Sequence, residues 1–185
     1  MTFQAGNPAN PDAACSSGGA AAVSAAVFAA ALILLSVPAS AENELYRGQV
    51  VSVQDGDTIT VTTTDYEQLR VRFYGIDCPE KNQNHGPEAK EYLTGLVFGK
   101  TVDIEVLDID RYSRQVGLVR LDGTLINQRM IEAGYAWTYE QYCKVKDLCA
   151  DFRNAESSAR GRRAGLWADS DPVAPWDHRR SRRKR

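Results

Sequence analysis

Residues 47–75, RGQVVSVQDGDTITVTTTDYEQLRVRFYG, hold three strands in succession, and the architecture follows from them. Two β-rich runs, 47–54 and 57–63, are joined through Asp55-Gly56, a dipeptide that favours a tight hairpin because both residues tolerate positive φ. A third strand at about 69–75 sets Val71 and Phe73 on one face and Arg70, Arg72 and Tyr74 on the other. Gly75 then permits a bend into IDCPE, where Asp77 and Glu80 are separated by Cys78 and a rigid Pro79. Charged residues around a Gly/Pro turn are as a rule solvated surface. An arginine-bearing strand that runs into two acids becomes a site only if other parts of the chain supply partners.

Downstream, Gly86-Pro87 opens a helix with proline in its first turn. Its apolar positions Ala89, Tyr92, Leu93, Leu96 and Val97 recur at helical spacing, with Gly99 near the stop. Alternation returns at 101–107, where Val102, Ile104 and Val106 face away from Asp103 and Glu105. The polar segment DIDRYSR leads to a fifth strand at about 115–121. Asp122-Gly123 turns the chain into a short helix near 125–133, ended by Gly134. A last helix spans about 146–163, with Val145, Leu148, Cys149, Phe152, Ala155 and Ala159 as its buried stripe, and Gly165 closes it. Three strands, a helix, two strands and two helices fit a mainly β protein with helices: an OB-fold, a five-stranded β-barrel with three α-helices.

The 185 residues suit one domain with appendages. The formal net charge of -2 conceals an uneven distribution. Asp12 is the sole charge before Glu42, and the last eight residues, HRRSRRKR, hold six Lys/Arg; between them, 42–177 carry 16 basic and 23 acidic residues. A folded acidic domain over 42–177 and a disordered basic tail over 178–185 are therefore expected. The tail offers non-specific contact to polyanions, and a monomer is the simplest expectation.

Residues 1–41 differ in kind. An apolar run at 20–37 precedes Ala39-Ser40-Ala41, the pattern of a secretory signal peptide cleaved before Glu42. No Lys or Arg precedes the run, and an uncleaved N-terminal membrane anchor is the alternative. Either reading puts the domain outside the cytoplasm, secreted or periplasmic or membrane-anchored. In such a compartment the close pair Cys143 and Cys149 is expected to form a disulfide, the alternative being two free thiols on a helix edge. No CxxC or His/Cys cluster suggests zinc.

Three clusters remain: Asp55-Gly56-Asp57-Thr58, then Arg72 with Asp77 and Glu80, then Asp110-Arg111-Tyr112-Ser113-Arg114. Together VVSVQDGDTITV, RFYGIDCPE, DRYSRQVGLV, GYAWTY and a helix ending in GLW closely resemble the thermonuclease family, that of staphylococcal nuclease. The resemblance covers about residues 47–167 and implies an OB-type barrel with calcium-dependent hydrolysis of phosphodiester bonds in DNA and RNA. It implies that Asp57, Asp77 and the backbone carbonyl of Cys78 bind Ca²⁺, whose preference for hard oxygen ligands they satisfy. It implies Glu80 as general base and Arg72 and Arg114 as the phosphate-binding arginines, whose planar forks suit the charge that gathers on phosphoryl oxygens. Arg111, Tyr112 and Tyr139 align near nucleotide-contacting positions. His85 matches no required position and is expected to be a solvated loop residue. The competing expectation is a non-catalytic OB-type nucleic-acid-binding module, which has no need of all five of Asp57, Arg72, Asp77, Glu80 and Arg114.

Overall fold

A computed structural model of the chain describes residues 43–183. The expected signal or anchor at 1–41 lies outside them. The hairpin is formed by strands β1 (Glu44–Val53) and β2 (Thr58–Thr63), paired antiparallel with Gly48 opposite Thr63 and Val53 opposite Ile59. Strand β3 (Gln68–Phe73) pairs with β2 so that Arg72 lies opposite Thr58, one residue from Asp57. This register is what sets the arginine beside the acid of the first turn.

Strands β4 (Ile76–Asp77), β5 (Thr101–Ile109) and β6 (Gln115–Leu121) follow, with helix α1 (Gly86–Val97) between β4 and β5. β5 pairs antiparallel with both β1 and β6, and β6 returns to lie parallel to β3, with Val71 opposite Gln115 and Phe73 opposite Gly117. The parallel seam closes a five-stranded mixed barrel, β1-β2-β3-β6-β5, which is the expected OB-fold. β7 (Thr124–Leu125) adds to the β6 edge and leads into α2 (Ile126–Glu132). β8 (Trp137–Thr138) pairs with β4, placing Trp137 opposite Asp77.

Alternation accounts for the core. Ile59, Val61, Val71, Phe73 and Ile104 are buried inside the barrel, while Arg70 and Asp103 on the intervening positions face out. Burying each such side chain contributes on the order of 1.5–3 kcal/mol. α1 adds Ala89, Leu93 and Val97 to that core, and α3 (Lys146–Gly161) adds Cys149, Phe152 and Ala155. Val145, expected on the buried stripe of α3, precedes the helix and is exposed.

Two polar side chains of the interior tie separate elements together. Asn127 is fully buried: its Oδ1 accepts from the Val119 amide at 2.9 Å, and its Nδ2 donates to the carbonyls of Tyr74 and Gly117 at 3.0 and 3.2 Å. The Tyr74 hydroxyl accepts from the amides of Lys144 and Val145 at 2.6 and 3.1 Å. Cys143 and Cys149 form the expected disulfide, which closes the chain between that anchor and α3.

Two expectations need correction. Residues 178–183 of the basic tail are not irregular but belong to a fourth helix, α4 (Pro175–Arg183). Pro175 and Asp177 in its first turn and arginines in its last turn suit a helix with its dipole satisfied at both ends. His85 is not solvated: its side chain is 20% exposed and its Nε2 lies 3.1 Å from Asp169.

Candidate active site

Asp57 and Asp77 are both buried, and two carboxylates in such a place demand compensation. Arg72 supplies it: its guanidinium pairs with Asp57 Oδ1 and donates to Asp77 Oδ1 at 2.6 Å. The other oxygen of Asp57 accepts from the Cys78 amide at 2.7 Å, and the Phe73 amide donates to the Asp57 carbonyl at 2.8 Å. Asp55 is the turn-former behind this, with its side chain accepting from the Asp57 amide at 3.1 Å. The hairpin turn, the end of β3 and the IDCPE bend are thus tied into one unit around Arg72.

The bend is shaped by backbone as much as by charge. Gly75 has φ 72°, in the left-handed region that a side chain would strain, and its carbonyl accepts from the Tyr139 amide at 2.8 Å. Gly86, first residue of α1, packs so closely on the Glu80 carbonyl that a Cβ there would overlap it. Glu80 is held just outside the buried pair, its side chain 37% exposed. Its amide donates to Gln83 Oε1 at 3.2 Å. Cys78 is a buried free thiol; burial pushes its pKa well up, against the opposing pull of Arg72. It is an inert thiol whose contribution is main-chain.

Arg114 comes to the same cleft from the turn before β6. Asp110 builds that turn, its Oδ1 accepting from the amides of Tyr112 and Arg114 at 2.8 and 3.0 Å. Its Oδ2 takes the Arg114 fork, at 2.7 Å from Nε and 2.6 Å from Nη2. Burial alone would raise the Asp110 carboxyl, but the hydrogen bonds from Arg114 and Tyr112 hold it below the usual carboxylate range. The exposed ring of Tyr112 carries both neighbouring guanidiniums, Arg111 at 4.9 Å and Arg114 at 5.6 Å from its centroid.

A cleft of 1310 Å³ brings these groups together, with Arg72, Glu80, Arg111, Tyr112, Arg114 and Tyr139 on its walls. Asp57, Asp77 and Cys78 lie behind Arg72, beneath the cleft surface. A second hollow, between α2 and α3 and bordered by Gln128, Asp151, Asn154 and Arg162, carries none of the expected site residues.

The cleft also holds two residues that sequence reasoning missed, both on α4. Arg179 donates to Asp77 Oδ2 at 2.7 Å and Oδ1 at 3.2 Å, and to Glu80 Oε1 at 2.8 Å. Burial works against its charge, but the hydrogen bonds and charges of Asp77 and Glu80 more than reverse that and raise its pKa. Trp176 stacks on Tyr139, with centroids 5.2 Å apart and planes 10° from parallel. Pro175 and Asp177 are a helix-start signal that the reading of the tail as disordered passed over, and nothing local in the tail shows which acids its arginines meet.

The fold and these residues define an OB barrel with an acid-and-arginine centre at its β3–β4 bend. Residues 70–169 match the family described as "Staphylococcal nuclease homologue". "Protein ParB" from Escherichia coli is 40% identical over 166 residues, covering 85% of this chain and 92% of its own length. "Micrococcal nuclease" from Shigella flexneri is 38% identical over 162 residues, covering 83% and 90%. An "Uncharacterized endonuclease" from Escherichia coli O157:H7 is 43% identical over 130 residues, covering 70% and 82%. The chain belongs to the staphylococcal nuclease family.

Proposed function

We propose that this member of the nuclease family is a calcium-dependent endonuclease that hydrolyses phosphodiester bonds in DNA and RNA. The observation that carries the reading is the convergence of Asp57, Asp77 and Arg72 in one buried unit with Glu80 at its accessible edge. Among the described residues no group of three or more His, Cys, Asp or Glu side chains is arranged to hold a metal ion. The donor set nevertheless has the right chemistry for a hard cation: two carboxylates and a main-chain carbonyl at Cys78. Asp57, Asp77 and the Cys78 carbonyl would hold calcium, which when bound neutralises phosphate charge and helps orient water.

The remaining work falls to the chain's own groups. Glu80 takes the proton from the water that attacks phosphorus as the P–O bond to the leaving oxygen breaks. Its partial exposure supports that role, since a base must reach solvent, whereas the buried aspartates need not. Arg72 and Arg114 donate to the phosphoryl oxygens, where charge builds in the transition state and where fixed donors act most strongly. Arg111, Tyr112 and Tyr139 offer charge and ring faces to the flanking nucleotide. Export to an oxidising compartment, secreted or periplasmic, is part of this reading, supported by the signal-like sequence at 1–41 and by the disulfide.

The test is cleavage of single- and double-stranded DNA and RNA by the chain from Glu42 onward, with Ca²⁺, Mg²⁺ or EGTA. Ca²⁺-dependent cleavage is expected, lowered roughly 10²–10⁴-fold by Glu80→Gln, the usual contribution of a positioned base, and lowered also by Arg72→Ala. Absence of Ca²⁺-dependent cleavage, or full activity in both variants, refutes the mechanism.

A further inference from the structure

We propose that residues 169–183 form a strap that closes the active site, with Arg179 serving as a tethered cation that calcium must displace from Asp77 and Glu80. The inference rests on the function proposed above and adds to it a means of control built from this chain's own C-terminal segment.

The chemistry of exclusion is direct. Arg179 engages both oxygens of Asp77 and one of Glu80, at 2.7, 3.2 and 2.8 Å. Arg72 already holds Asp77 Oδ1, and Arg179 takes Oδ2, the oxygen that Arg72 leaves open, so a divalent cation approaching that oxygen meets the Arg179 charge at contact distance. Glu80 is likewise tied up, with its Oε1 committed to Arg179 rather than open to water. Trp176 closes the other half of the site. Its indole lies on the ring face of Tyr139, the face that an incoming base would need.

The strap is anchored beside the residues it blocks. Asn84 donates to Asp169 at 2.7 Å, His85 lies 3.1 Å from the same carboxylate, and Gln83 donates to the Val173 carbonyl at 2.6 Å. All three anchors come from the loop that follows Glu80. Beyond them the apolar part of the docking is confined to the start of the helix, where Ala174 and Pro175 are buried and Trp176 packs on Tyr139 and Trp137, while residues 180–183 are exposed and Arg179 docks by charge. A short terminal element with few apolar anchors belongs to the part of a structure that opens more easily than the core. A polyanionic substrate also favours release, since it competes with the acids for the arginines of α4. Closed and open states are therefore separated by a cation exchange at two carboxylates.

Calorimetric titration of the full chain with Ca²⁺, alongside Arg179→Gln and Arg182→Gln, tests this, together with hydrogen exchange of the 175–183 amides. A strap docked in roughly 90–99% of molecules weakens apparent Ca²⁺ affinity about 10- to 100-fold. Arg179→Gln should recover that factor. Arg182→Gln removes a charge from the same helix without a hydrogen bond to Asp77 or Glu80, and should leave the affinity unchanged. Ca²⁺ should also speed exchange of the α4 amides in the parent. Equal affinity in parent and Arg179→Gln overturns the strap, as does equal tightening by Arg182→Gln or an α4 that stays protected when Ca²⁺ binds. If Arg179 instead serves as a third phosphate-binding arginine, its loss lowers the cleavage rate without tightening Ca²⁺, and that outcome also overturns it. Absence of Ca²⁺ binding in both parent and Arg179→Gln overturns the calcium-dependent function itself, and the strap with it.

Discussion

Substituting Gly86→Ala should disable the enzyme without removing any group that touches substrate. An added Cβ overlaps the Glu80 carbonyl, and its further neighbours are Glu80 C at 2.7 Å and Lys81 Cα at 3.2 Å. Ordinary contact for such an atom lies at 3.4–4 Å, so the main chain at Glu80 must retreat by about an ångström or more. Neither obstacle is a flexible side-chain tip. Overpacking of this kind costs about 1–3 kcal/mol of stability, and displacing a catalytic group by about 1 Å can cost about 10²-fold in rate. Gly95, nine residues later in α1, is the internal control. It is exposed with nothing within 4 Å of its Cβ position, so Gly95→Ala should stabilise by about 0.5–1 kcal/mol and leave turnover alone. Urea unfolding gives the stabilities, and steady-state cleavage of a short oligonucleotide with saturating Ca²⁺ gives the rates. A Gly86→Ala protein with parental kcat would refute the argument that this contact sets the position of Glu80.

Further expectations concern stability and pH. Asn127→Ala leaves the buried Val119 amide and Tyr74 carbonyl short of a partner, and should cost about 2–5 kcal/mol in chemical denaturation. Replacing Cys143 and Cys149 by serine opens a short loop and should cost about 2 kcal/mol, while a thiol assay on the unfolded parent should find Cys78 as the one free cysteine of the described body. Asp110 is held below its ordinary 3.8, so its contribution is present above that value and is lost as pH falls through the lowered folded pKa. The stability gap between the parent and Asp110→Asn, read by denaturant unfolding, should accordingly be full at neutral pH and shrink as pH falls below 3.8; a gap that stays constant into acid would contradict this.

The barrel was legible because its signals are local and periodic. Val71, Phe73, Val102, Ile104 and Val106 alternate, Asp55-Gly56 marks the hairpin, and Pro87 marks a helix start. The two-residue strands β4 and β8 were not, because alternation needs more residues than they contain. Their pairing is fixed instead by the Gly75 bend and by Tyr139 bonding back to it. Asp57, Arg72, Asp77, Glu80 and Arg114 were read as a set from motif resemblance; the β2–β3 register sets Arg72 beside Asp57, and the bend after Gly75 brings Asp77 to the same guanidinium. Arg179 and Trp176 escaped because a run of arginines has the composition of a solvated tail. What orders α4 is charge some 100 residues away in the chain, and composition carries no information about that.

The parallel seam between β3 and β6 has a consequence for how activity arises. Arg72 sits within it, opposite Val116, and Arg114 immediately precedes Gln115, the seam partner of Val71. The hairpin side can gather Asp57, Arg72 and Asp77 by itself, because their contacts need only β2, β3 and the bend. Arg114 joins them only after α1, β5 and β6 have been laid down and the barrel has shut, a non-local event of the kind that comes late in folding. Under the mechanism proposed above, a nascent or partly unzipped form of the chain would have the two guanidiniums apart and no complete grip on a phosphate. Nuclease activity would then be a property of the finished circle of strands, absent from a chain still in transit toward it.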